Sequence, residues 1–218
     1  MSDPIVRVRP HRSRTGNPKL DLIVDEMIEA DLGMGQEVVQ RETVFDGRLL
    51  HVERVVAETR KGDRVTREVV SHPGAVVIAP IDETGRLLLV TQYRLPAGGA
   101  LLELPAGTLD VDDAGDVEDP LEAAHRELEE ETGYRAATME RLGGYWSAPG
   151  FSTEYLTLYL ASELTAAGED RRPPDADEEL ILLAVPIRDA LAAIDAGLIE
   201  DAKTIAGIFL VARRLGID

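Results

Sequence analysis

The sequence predicts an α+β protein in which a mixed sheet lies between helices, and three observations carry that prediction. From Val38 onward most of the chain reads as short β-branched stretches separated by Gly- and Asp-containing turns. Helical periodicity follows strands at only three places, residues 119–133, 187–196 and 201–215. Strands and helices therefore do not alternate one for one, unlike a doubly wound parallel sheet. The 218 residues suffice for one sizeable domain plus an appendage. The expected divisions are an N-terminal extension over 1–36, a small β region over 37–72 and a main domain over 73–218.

Composition excludes several classes of function. A formal net charge of −18 repels nucleic acid and anionic membranes, so neither is an expected partner. The absence of cysteine removes disulfides, thiolate zinc sites and cysteine nucleophiles, and fits a reducing cytoplasm. No apolar run is long enough to span a bilayer. Arg7, Arg9, Arg12 and Arg14 are followed by no apolar h-region, and Pro4 and Pro10 disrupt an amphipathic leader. The expected location is cytoplasmic.

Taken in order, residues 1–19 read as irregular and basic. Residues 20–32 carry Leu22, Ile23, Met27 and Ile28 at helical spacing, a short amphipathic helix suited to the main body or a partner subunit. Gly33 and Gly35 supply a hinge. Strands are expected over 42–45, 49–59 and 64–70, with turns at Asp46-Gly47 and Lys61-Gly62-Asp63. Residues 75–81 and 86–93 flank a D-E-T-G turn and read as a β-hairpin. Residues 101–104 form a short strand running into Pro105-Ala106-Gly107. Further strands are expected over 140–146 and 154–161 around Ala148-Pro149-Gly150. Residues 165–179 read as a surface loop, and 180–185 as a buried strand because the apolar run is unbroken. Pro186 then opens a helix, and an apolar helix ends the chain.

The stretch 119–133 carries the chemistry. Asp119 is placed to N-cap a helix, Pro120 takes its first position, Glu122 completes a capping-box pattern and Gly133 is the C′ residue. Leu121, Ala124 and Leu128 form a core-facing stripe, while Glu127, Glu130 and Glu131 share another face. Like charges at this spacing cost roughly 0.2–0.5 kcal/mol per pair. Anions at a helix C-terminus cost about 0.3–1 kcal/mol each. Hard divalent cations reverse the sign of both effects because they take carboxylate oxygens, so this helix is expected to carry metal.

Residues 126–134, R-E-L-E-E-E-T-G-Y, resemble the R-E-U-x-E-E-x-G-U half of the Nudix box, with tyrosine in place of the final aliphatic residue. Glu118 precedes Arg126 by eight residues, as in the box. Gly107 is the best match to the box glycine, which implies a five-residue insertion across 110–117. Gln92-Tyr93-Arg94, Glu103-Leu104-Pro105-Ala106-Gly107, the S-A-P-G-F-S stretch from Ser147 and Asp201-Ala202-Lys203-Thr204 further resemble the ADP-ribose pyrophosphatase branch, over most of 40–215.

That resemblance implies a Nudix-type α/β/α sandwich with a mixed sheet over 73–218, preceded by a small antiparallel sheet. Relatives form homodimers that exchange their N-terminal strands, and 37–72 look like that region. The implied reaction is divalent-metal-dependent hydrolysis of ADP-ribose to AMP and ribose 5-phosphate, with Mg2+ as the cofactor and Mn2+ as its substitute. Glu127, Glu130, Glu131 and the Ala106 carbonyl would hold the metal. Arg126 would orient the glutamates. Glu178, in the acidic stretch before the strand at 180, is the expected general base, with Asp177 and Glu179 as alternatives. Arg94 is expected to pair with a phosphate, Glu103 and Glu154 to accept from ribose hydroxyls, and Arg67 to reach the adenosine side across a dimer interface. Pro149, fifteen residues past the box, goes with ADP-ribose preference in this family. The histidines at 11, 51, 72 and 125 show no ligand spacing. The competing expectations are another nucleotide sugar or a dinucleotide, such as GDP-mannose or NADH, and an ADP-ribose-sensing regulatory module. The intact box acids, and an extension too short for a winged helix, speak against the module.

Overall fold

Asn17 starts the first helix: its side chain accepts from the Lys19 N–H, Pro18 fills the first turn, and helix α1 runs Pro18–Met34. The computed structural model describes residues 14–173 and 179–217. Asp177 and Glu178, and most of the basic leader, lie outside the described residues. The chain divides into two compact units, residues 1–72 with 148–154, and residues 73–147 with 155–218.

In the first unit α1 buries no residue, and its apolar stripe, including Leu22, Ile23 and Leu32, faces solvent. Strands β1 (Gln36–Asp46), β2 (His51–Thr59) and β3 (Arg64–Ser71) form an antiparallel sheet in that order. Only Val55 and Ala57 are buried in it. Cross-strand ion pairs reinforce the ladder, Arg41 with Glu53 and Arg54 with Glu42, each at 3.0 Å. The loop 148–154 is stitched to the end of β3: the Val70 N–H donates to the Phe151 carbonyl at 2.7 Å, and the His72 N–H to Thr153 Oγ1 at 2.7 Å.

The second unit contains β4 (Ala75–Pro80), β5 (Arg86–Arg94), β6 (Gly99–Glu103), β7 (Ala106–Thr108), α2 (Pro120–Thr132), β8 (Tyr134–Trp146), β9 (Tyr155–Ala166), β10 (Ile181–Pro186), α3 (Ile187–Asp195) and α4 (Ala202–Leu215). A mixed sheet runs β7-β4-β9-β8, with β4 and β9 parallel, beside an antiparallel sheet β10-β5-β6. Every residue of β4 is buried, as a strand covered on both faces must be. Val76 and Ile78 pack with Ala123, Ala124 and Leu128 of α2. Val77 and Ala79 point the other way, into a core shared with Leu158 of β9 and Ile208 and Val211 of α4. Helices therefore cover both faces of a mixed sheet, the expected sandwich.

Three expectations are corrected. β4 and β5 are not a hairpin: they lie in different sheets and share only the Ile81–Leu87 bridge. Asp82 makes the turn instead, its Oδ1 accepting from the Thr84 and Arg86 N–H groups, both at 2.9 Å, which lets β5 leave for β6 and β10. The apolar run after residue 179 is not buried: β10 is a sheet edge, and Ile181 and Leu183 are largely exposed. In α2, Leu121 is exposed, and Ala123 joins Ala124 and Leu128 against the sheet in its place.

Candidate active site

Helix α2 is fixed at both ends by the residues that cap it. Asp119 Oδ1 accepts from the Leu121 N–H at 2.8 Å and the Glu122 N–H at 3.4 Å. Gly133 takes the left-handed conformation at φ 73 and returns its N–H to the Glu129 carbonyl, where a Cβ would be strained. With Ala123, Ala124 and Leu128 buried against β4, Arg126, Glu127 and Glu131 turn toward β7, reaching Thr108, Gly107 and Ala106.

Arg126 gathers the acids. Its Nη1 donates to Glu127 Oε1 at 2.6 Å and Glu130 Oε2 at 3.1 Å. Its Nε and Nη2 grip Glu118 at 3.2 and 2.8 Å, and Nη2 also reaches the Thr108 carbonyl at 3.2 Å. Glu118 thus joins the box cluster from beyond the insertion. The Glu118 bond raises the Arg126 pKa first, with Glu127 adding to it, and the same bond lowers that of Glu118. Glu131 turns instead to the neighbouring strand, its Oε2 accepting from the Ala106 N–H at 3.1 Å. A Cβ at Gly107 would overlap the Glu127 carboxylate, so the missing side chain is what allows β7 and α2 to approach.

Glu118, Glu127 and Glu130 thus surround a single guanidinium, with Glu131 on the Ala106 N–H, which leaves an excess of negative charge at a close backbone approach. Among the described residues no three acidic or histidine side chains converge on one point, because the carboxylates are turned onto Arg126 and the Ala106 N–H. The donor set is nevertheless all oxygen and net anionic, which is the chemistry that fits a hard divalent cation.

Glu129, on the other side of α2, has a different fate. Arg135 grips it through Nε at 3.0 Å and Nη2 at 2.7 Å, and the Arg172 N–H adds a third bond at 3.0 Å. These hold the Glu129 carboxyl down at a pKa of about 2, with the Arg135 bonds the largest cause.

Arg94 ends β5 and donates Nε and Nη2 to the two oxygens of Glu103, each at 2.8 Å. Glu103 is 1% exposed, so its carboxylate faces cations and not solvent. Lys203, in the first turn of α4, also donates to Glu103 and bonds Asp201 Oδ2 at 3.0 Å. The residues 94, 103, 106, 118, 126, 127, 130 and 131 all lie in the second unit, and the electrostatic influence of Glu131 reaches Arg94. Arg67, Pro149 and Glu154 lie in the first. There Arg67 Nη1 donates to its neighbour's carbonyl, Thr66 O, at 2.9 Å, Pro149 is exposed, and Glu154 stands 3.6 Å from His72 Nε2. Burial lowers the His72 pKa, and Glu154 opposes the shift.

Sequence reasoning assigned no role to Lys203, Asp201, Thr204 or Arg135. The D-A-K-T run carried a resemblance but no contact, since its partners lie as far as 100 residues away.

The model of the NUDIX domain matches residues 70–206. An ADP-ribose pyrophosphatase of Bacillus subtilis is 34% identical over 169 residues, covering 78% of this chain and 88% of that protein. An ADP-ribose pyrophosphatase of Mycobacterium tuberculosis is 40% identical over 177 residues, covering 80% and 82%. The crystal structure of an ADP compounds hydrolase superposes with a TM-score of 0.70 at 26% identity, covering 83% of this chain and 94% of that one. With Glu127 and Glu130 of α2 gathered on Arg126, Glu127 against Gly107, and the family model spanning more than half of the sequence, the chain belongs to the NUDIX domain family.

Proposed function

We propose that this protein hydrolyses the diphosphate linkage of ADP-ribose, releasing AMP and ribose 5-phosphate, and that it does so with magnesium, or manganese in its place. The observation that carries the reading is the meeting of Glu127 and Glu131 with the Ala106-Gly107 backbone, with Glu130 held beside them on Arg126, in a chain whose relatives include ADP-ribose pyrophosphatases. Glu127, Glu130, Glu131 and the Ala106 carbonyl are the residues that would hold the cation. When bound, it neutralises the diphosphate and polarises the attacking water.

The remaining work belongs to the chain. Arg126 holds the carboxylates of Glu118, Glu127 and Glu130 and so acts as a positioning residue. Arg94 offers a guanidinium edge to a substrate phosphate. Glu103, taken up by Arg94 and Lys203, serves this reading as the anchor of Arg94. Glu178, outside the described residues, is assigned the removal of the proton from water, with Asp177 and Glu179 as alternatives. Arg67, Pro149 and Glu154 are assigned to the adenosine and ribose moieties. The working form is a cytoplasmic homodimer joined through residues 37–72. The solvent-facing apolar stripe of α1 supports the dimer, and the absence of cysteine supports the compartment.

A turnover assay tests the proposal, with ADP-ribose, GDP-mannose and NADH each offered with magnesium, with manganese and with EDTA. The expected result is metal-dependent cleavage, with kcat/KM for ADP-ribose about tenfold or more above the other two. A comparable preference for either competitor removes ADP-ribose as the substrate. Light scattering that gives a monomer removes the dimer.

A further inference from the structure

Beyond the box, one buried network ties both halves of the site to the last helix. The Leu104 N–H donates to Thr204 Oγ1 at 2.8 Å, and that hydroxyl donates to Asp201 Oδ2 at 2.6 Å. Asp201 Oδ2 also accepts from Lys203 Nζ at 3.0 Å and caps α4 through the Thr204 N–H at 2.9 Å. Lys203 goes on to Glu103, and Glu103 accepts the fork of Arg94. The chain of bonds therefore starts just before Ala106 and ends at Arg94, and passes through the first turn of α4 between them.

Burial makes this network consequential. Thr204 is 0% exposed and Glu103 1%, so each group is fixed by its partners and not by solvent. Arg94 spends Nε and Nη2 on Glu103, and among the described residues no acceptor takes its Nη1. Its side chain is 39% exposed, which leaves that edge open to an anion. Lys203 is the second cation on the same carboxylate. Without it, Glu103 and Asp201 lose the ammonium that bridges them, and the seat of Arg94 becomes an under-neutralised buried acid.

We propose that Lys203 and Thr204 are positioning residues for the diphosphate site, Lys203 by seating Arg94 through Glu103 and Thr204 by fixing the Leu104–Ala106 backbone. The division of labour rests on the functional reading above. It assigns Lys203 to substrate affinity and Thr204 to cation affinity, although both residues sit side by side on one helical turn.

The test compares Lys203→Met, Lys203→Arg, Thr204→Val and Thr204→Ser in the full chain. Steady-state kinetics on ADP-ribose are read together with the rise in melting temperature produced by magnesium alone. Lys203→Met is expected to raise KM about tenfold with kcat nearly unchanged, and Lys203→Arg to restore most of the loss. In an Arg94→Gln background Lys203→Met is expected to add nothing, because it acts only through Arg94. Thr204→Val is expected to leave KM near the parent value while the magnesium-induced stabilisation shrinks, and Thr204→Ser to recover it. Unchanged KM in a folded Lys203→Met variant overturns the first assignment, as does an undiminished penalty in the Arg94→Gln background. Magnesium stabilisation of Thr204→Val equal to the parent overturns the second. A parent protein that cleaves no nucleoside diphosphate compound removes the functional reading and the Lys203 assignment with it, whereas an active parent with insensitive variants removes the positioning proposal alone.

Discussion

Two acidic sites occupy opposite sides of α2, and they differ in how their charge is balanced. Glu129 receives two bonds from Arg135 and one from a backbone N–H, so it is fully provided for. Across the helix, Glu118, Glu127 and Glu130 divide one guanidinium among them, and Glu131 accepts from the Ala106 N–H. The first arrangement is what a folding protein builds to bury an acid. The second retains surplus negative charge beside a backbone brought close by a glycine. Four glutamates that look alike in sequence therefore separate into one paired with Arg135 and three that face Arg126 and the Ala106 N–H, the three proposed above to hold the cation.

The sharpest break in this comparison is Glu127→Gln. It is expected to lower kcat roughly 10²–10³-fold, the scale of losing one preorganised electrostatic group. In metal-free buffer the thermal midpoint should hold or rise, because like-charge crowding is relieved. A fall in stability with unchanged magnesium dependence would sink the assignment. Gly107→Ala comes next, since the added methyl displaces the Glu127 carboxylate and not the backbone. A misplacement near 1 Å at a reacting centre costs about 10²-fold in rate, so activity should drop well before thermal stability does.

The smallest effect on turnover is expected from Glu129→Gln, which should leave kcat close to the parent value and lower the melting temperature. Its pH dependence is fixed in sign. The folded pKa is held at about 2 against an ordinary 4.5, so the stabilisation is present above about 4.5 and disappears as the pH falls toward 2. Acid unfolding curves should show the parent losing stability across that window and Glu129→Gln losing less. Parallel curves would mean that the Arg135 pair contributes nothing.

Much of α2 was legible because its signals are local. Asp119, Pro120, Gly133 and the E-x-x-E-E spacing all act within one or two turns. The same is true of the N-terminal sheet, whose turns mark their own strands. What escaped was decided at a distance. The stretches 75–81 and 86–93 have the pattern of a hairpin, and only the competition from β9, β6 and β10 for their edges separates them. The apolar run at β10 reads as core by composition, yet its sheet offers it an edge. No local feature at Glu103 shows that Lys203 reaches it from a helix 100 residues on. The opposite faces of α2 were distinguishable by spacing, but the ownership of Glu129 by Arg135 was not.

The stitch from Leu104 and Glu103 to Thr204 and Lys203 also sets an order of assembly. A chain that has been synthesised through Gly133 already contains the whole acidic box, the glycine and Arg94. It lacks the lysine and threonine that fix them, which follow roughly 70 residues, and so about 4–14 s, later at 5–20 residues per second. The nascent protein therefore carries its complete sequence motif through roughly a third of its synthesis as an unseated set of groups. Under the positioning roles proposed for Lys203 and Thr204, the site is complete only once the C-terminal helix has docked.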